Sequence, residues 1–146
     1  MYRRILVPLE HSSADHTILA YVRGLAKLCA SEIVLIHVAD GWVARNINEL
    51  NLRESEEMRD DRAYLERESA ALQAEGFAAD AVLAAGDPAT EIAAAAEREE
   101  CDLIAMATHG HRLVEDVVRG STATALRHIT RVPVLMVREE KGKPAT

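Results

Sequence analysis

The stretch Glu32–Val38, EIVLIHV, is apolar at consecutive positions and holds a single interior histidine. A strand with one face in water alternates apolar and polar residues. A short run that does not alternate is what a strand covered on both faces looks like, and parallel sheets wrapped by helices are its usual source. Similar runs lie on either side: ILVPL (Ile5–Leu9), DLIAMA (Asp102–Ala107) and VPVLMV (Val132–Val137). A weaker one surrounds Ala79–Ala84, so five strands are expected.

Helical patterns fill the gaps. Asp15–Ala30 carries Ile18, Leu19, Val22, Leu25, Ala26 and Leu28 at helical spacing, and Ser55–Glu75 carries Met58, Tyr64, Leu65 and Leu72 among many charges. Pro88–Glu99 opens with Pro88, which suits a first helical turn, behind Asp87 as its cap. Ser121–Thr130 carries Ala125, Leu126 and Ile129. The alternation predicts an α/β fold: an open sheet of five parallel strands with helices on both faces. The connection Ala39–Glu57 is long for such a fold and holds the one tryptophan, Trp42. Residues 1–138 are expected to form one domain, followed by a polar tail over 139–146.

Bulk properties narrow the function. The net charge of −7 opposes a sequence-independent hold on a polyphosphate backbone, and the 3% aromatic content disfavours base stacking, so no nucleic acid is expected. No apolar run reaches membrane-spanning length, and the apolar part of MYRRILVPLE is too short for a signal peptide. Cys29 and Cys101 lack metal-type spacing and suit a reducing compartment. The expected location is the cytoplasm.

In an open parallel sheet, ligands bind beyond the carboxyl ends of the strands, where the strand order reverses. PLEHSS after the first strand and ATHGHR after the fourth would converge there, and GSTA at the start of the last helix could join them. Gly110 and Gly120 let the backbone approach a ligand, and first-turn amides beside Ser121 and Thr122 could bind an anion. A bland reading needs no ligand: Gly120 ends one element and Ser121 begins the next. Neither a Gly-Lys-Ser/Thr step nor a G-x-G-x-x-G after the first strand is present.

Over about residues 2–138 the chain resembles the universal stress protein family. The resemblance rests on ILVPLEHSSAD, LIHVAD, GDPATEI, CDLIAMATHG, GSTATALRH and VPVLMV. Nucleotide-binding members carry G-x2-G-x9-G-Ser/Thr. Here Gly110, nine intervening residues and Gly120-Ser121 keep the spacing, and Ala107 replaces the first glycine. The family's Asp-Gly-Ser after the first strand is Glu10-His11-Ser12. The resemblance implies a Rossmann-like sheet of order 3-2-1-4-5, an ATP-binding cleft, and a homodimer paired through the last strand, Val132–Val137. That strand is apolar on both faces yet would lie at an edge, which invites an antiparallel twin.

Carried over to this sequence, the resemblance implies that Pro8, Leu9, Val38, Ala39 and Met106 frame adenine. Glu10 would accept hydrogen bonds from the adenosine, and Ala107 would run under the ribose. Gly110, His111, Arg112, Gly120, Ser121 and Thr122 would face the phosphates. A guanidinium such as Arg112 pairs well with phosphate.

His11, His109 and His111 follow strands expected to end at the same crevice, beside Glu10, a set of imidazoles and a carboxylate that would suit zinc; His109 and His111 are read instead as loop residues making ordinary hydrogen bonds, so no dedicated metal site is expected. A divalent ion, Mg or Mn, could accompany ATP, held by phosphate oxygens. No nucleophile–base–orienter set is legible from the spacing. The expectation is therefore an ATP-binding stress-response protein with the nucleotide as regulatory or structural ligand. Its competitors are a nucleotide-free dimeric interaction protein with a vestigial cleft, and a slow divalent-ion-dependent ATP hydrolase.

Overall fold

Ile5, Leu6 and Val7 have no solvent exposure, and this fixes the centre of the molecule. Side chains alternate across a strand, so Ile5 and Val7 must be covered from one side and Leu6 from the other. A computed structural model, which describes residues 1–40, 52–108 and 122–139, shows both covers. The strands are β1 (Arg4–Pro8), β2 (Glu32–Asp40), β3 (Ala79–Gly86), β4 (Leu103–Thr108) and β5 (Val134–Arg138). All are parallel, in the order β3-β2-β1-β4-β5. This is the expected Rossmann-like sheet.

The helices are α1 (Ala14–Cys29), α2 (Leu52–Ala74), α3 (Pro88–Arg98) and α4, residues 122–129. α1 and α2 cover one face: Ile18, Val22, Leu65 and Leu72 pack with Ile5, Val7, Ile33 and Leu35. α3 and α4 cover the other, where Ala89, Ile92, Ala123 and Leu126 pack with Leu6, Val34, Ile36 and Ile104. Asp87 caps α3 as expected, accepting the Thr90 amide at 3.0 Å, with Pro88 in the first turn.

Three expectations need correction. α2 starts at Leu52, so the segment after β2 is shorter than Ala39–Glu57; β2 itself continues to Asp40, with Ala39 opposite Ala85. Trp42 lies outside the described residues. Leu28 is exposed, because it falls about 200° round the helix from Ala26, off the buried stripe. Ile129, the last residue of α4, is half-exposed.

The amino ends of the strands are tied by charge. The Asp102 carboxylate accepts the Arg3 and Arg4 amides, each at 3.0 Å, and joins β4 to β1. The Arg4 guanidinium reaches Glu32 at 3.1 Å, Glu99 at 3.2 Å and Asp80 at 3.5 Å. These pairs lie at the end of the sheet opposite the expected ligand edge.

Candidate functional site

β1 and β4 are neighbours, yet their outgoing connections lead to opposite faces of the sheet, α1 on one and α4 on the other. This is the reversal point at which open α/β sheets bind ligands. β1 ends at Pro8, level with Ile36 of β2, and the Leu9 amide extends the pairing by donating to the Ile36 carbonyl at 2.8 Å. β2 and β4 continue to Asp40 and Thr108. Their ends form the rim on which the expected adenine-end residues are gathered.

The rim draws on both faces. Met106 is buried with Ile36 and Ala123, and half-buried Val38 packs on the same cluster. Leu9 and Ala107 lie on the α1 side, Leu9 in the core and Ala107 packed against it. Leu9 is only 3% exposed, its amide and carbonyl being bonded to the Ile36 carbonyl and to His37 Nδ1. Ala39 is buried, and half-buried Pro8 ends β1. Thr122 is half-buried at the start of α4, which packs beside Met106 through Ala123. Gly110, His111, Arg112, Gly120 and Ser121 lie outside the described residues, as does His109.

The turn after β1 is the most heavily bonded part of the rim. Asp15, in the first turn of α1 and 2% exposed, directs its carboxylate back into that turn. Oδ1 accepts the Glu10 amide at 2.9 Å, and Oδ2 accepts the amides of His11 at 2.9 Å and Ser12 at 3.3 Å. The Tyr64 hydroxyl of α2 also donates to Oδ2. Main-chain donors and the positive end of a helix make this a favourable seat for a buried carboxylate. Burial, followed by the Asp15 bond, pushes the Tyr64 phenol well above its ordinary range. Ser12 Oγ donates to Glu10 at 3.1 Å, and Ser13 Oγ donates to Glu139, just beyond β5, at 2.9 Å.

His11 has φ of +62°, in the left-handed region that favours glycine. Its ring stacks on Tyr64 with centroids 4.0 Å apart and planes at 17°. Its Nδ1 stands 3.0 Å from Asp61 Oδ1. The other oxygen of Asp61 lies 3.3 Å from Nε2 of His37, whose Nδ1 donates to the Leu9 carbonyl at 2.9 Å. The sequence reading missed Asp15, Asp61, Tyr64 and His37 as parts of the rim. The one available signal was His37, the polar residue inside an otherwise apolar run. Asp61 is one acid among many in its helix, and nothing in its spacing marks it.

A parallel sheet of this order, with a rim of apolar walls and a carboxylate-anchored turn at its reversal point, is the architecture of a Rossmann-like α/β protein. The chain belongs to the universal stress protein family: that family's model matches residues 1–138. The chain is 28% identical over 162 residues to the universal stress protein MJ0577 of Methanocaldococcus jannaschii, covering 97% of this chain and 98% of the relative. The solved MJ0577 structure superposes with a TM-score of 0.74 at 27% identity, covering 97% of this chain and 99% of that one. Two nucleotide complexes share the fold. A universal stress protein of Archaeoglobus fulgidus bound to dAMP has a TM-score of 0.68 at 16% identity, covering 93% and 98% of the two chains. A universal stress protein bound to cAMP has a TM-score of 0.70 at 14% identity, covering 95% and 98%.

Proposed function

We propose that the protein binds an adenine nucleotide, ATP in the first instance, at the carboxyl rim between β1 and β4. The nucleotide acts as a regulatory or structural ligand in a stress response. The observation that carries this reading is the composition of the rim. Val38, Ala39 and Met106 supply an apolar wall for a flat base, and Glu10 supplies an acceptor beside it. The spacing Gly110-x9-Gly120-Ser121 supports a phosphate site in the following loop. The dAMP and cAMP complexes of fold relatives support the ligand class. A divalent ion, Mg or Mn, would be held mainly by phosphate oxygens.

The reading includes a homodimer through β5. That strand is an edge of the sheet, and Met136 on it is 44% exposed. An edge with apolar side chains is a ready template for a second copy. It also includes a reducing, cytoplasmic setting, in keeping with the unpaired Cys29 and Cys101.

Mass spectrometry of the purified, denatured protein should find co-purified ATP or AMP, and titration calorimetry should show that Gly120→Val abolishes nucleotide binding while sedimentation still reports a dimer. Unchanged affinity in that variant would refute the phosphate assignment. A monomer at all concentrations would refute the dimer.

A further inference from the structure

We propose that Asp61 is a positioning residue and His11 a specificity-determining one. Asp61 fixes the His11 ring so that its Nε2 is offered at the rim as an acceptor for an N–H or O–H group of the bound nucleoside. This rests on the nucleotide reading above. An ionised carboxylate accepts hydrogen bonds and donates none, so the 3.0 Å contact with Asp61 Oδ1 requires the His11 proton on Nδ1. The neutral ring then has its lone pair on Nε2, for which the described residues supply no partner. The His11 side chain is 39% exposed.

Three further contacts hold the ring in place. It stacks on Tyr64, one helical turn beyond Asp61 and therefore on the same side of α2. Tyr64 is itself anchored on Asp15, and Asp15 also holds the His11 amide. Nε2 of His37 stands 3.3 Å from the second oxygen of Asp61, and its Nδ1 donates to the Leu9 carbonyl. Asp15 of α1 thus holds the backbone of the residue one position beyond Glu10, and one face of α2 fixes the plane and tautomer of its ring. The side chain also accounts for a histidine at a left-handed position: its stack and its bond to Asp61 offset a backbone cost of about 1–2 kcal/mol.

The first measurement needs no ligand. Long-range proton–nitrogen correlation spectra in mildly alkaline buffer should show His11 protonated on Nδ1 in the full-length protein. In Asp61→Ala the ring should revert to the tautomer mixture of free histidine. A His11 ring protonated on Nε2 in the unaltered protein overturns the proposal.

The second measurement is calorimetric titration with AMP. Asp61→Ala and His11→Phe, which keeps a ring against Tyr64, should each weaken binding about tenfold, the loss of one hydrogen bond. Combining them should weaken it no further. Additive losses, or unchanged affinity in His11→Phe, overturn the proposal. The His11 contribution should vanish with purine riboside monophosphate if the donor is the exocyclic amine, and with 2′-deoxy-AMP if it is the ribose hydroxyl. If the unaltered protein binds no adenine nucleotide, the functional reading fails and the ligand half of this inference fails with it, while the tautomer measurement still decides the role of Asp61.

Discussion

At the scale of single residues, the rim depends on one buried carboxylate. Asp15 satisfies three main-chain amides of the turn after β1 and the hydroxyl of Tyr64. Truncating it would leave these donors without their acceptor in a part-buried turn. Asp15→Ala should therefore lower the unfolding free energy by about 3 kcal/mol in urea titrations. A loss below about 1 kcal/mol would mean that water replaces the carboxylate without strain. The importance of this residue was not legible in the sequence, where Asp15 is one acid at the start of a predicted helix. Its role depends on the turn folding back over the helix end, and hydrophobic patterning carries no trace of such a path. The substitution pattern Glu10-His11-Ser12 was legible, but its consequence was not: His11 adopts a glycine-like φ and is held there by residues fifty or more positions away.

At the scale of elements, the sequence was most informative where burial is two-sided. Ile33–Ile36 and Leu103–Met106 are buried at every position, so their continuous apolar character marked the strands directly. Strand β3 runs along the sheet edge with several exposed or half-exposed residues, and its weaker pattern reflects that. The start of α2 is not legible because its first turns, residues 52–57, hold one apolar residue and so mark no stripe. Junctions between elements can be tested individually. Gly86 joins β3 to the cap of α3 with φ of +136°, and a Cβ there would lie 2.9 Å from Oε1 of Glu91. The side-chain end of Glu91 can move aside, but the backbone conformation cannot be shared with alanine. Gly86→Ala should cost more than about 1 kcal/mol, read as a lowered thermal midpoint with unchanged sheet content by circular dichroism.

At the scale of the whole molecule, a buried thiol and a half-buried phenol set an alkaline limit to stability. Burial pushes the Cys101 thiol up to about 11 from an ordinary 9.0, and Tyr64 moves in the same direction. Both groups hold their protons more tightly when folded. The stability the thiol contributes is therefore complete below its unfolded range and is lost as pH rises from about 9 through 11, while that of the phenol begins to fall only above its ordinary 10.0. Urea midpoints should fall steeply across that window, and less steeply in Cys101→Ala and Tyr64→Phe. Equal slopes in all three proteins would assign the alkaline loss to other groups. The order β3-β2-β1-β4-β5 has a consequence for biosynthesis as well. β1, the first strand made, becomes the middle of the sheet, and its second flank is filled only by Leu103–Thr108. While the chain is still emerging from the ribosome, a β1–β2–β3 half-sheet can assemble with α1 and α2. It then carries an open seam of unpaired amides and carbonyls until the last third of the polypeptide arrives. The nascent molecule is thus most vulnerable to aggregation along the edge of β1 that β4 later covers.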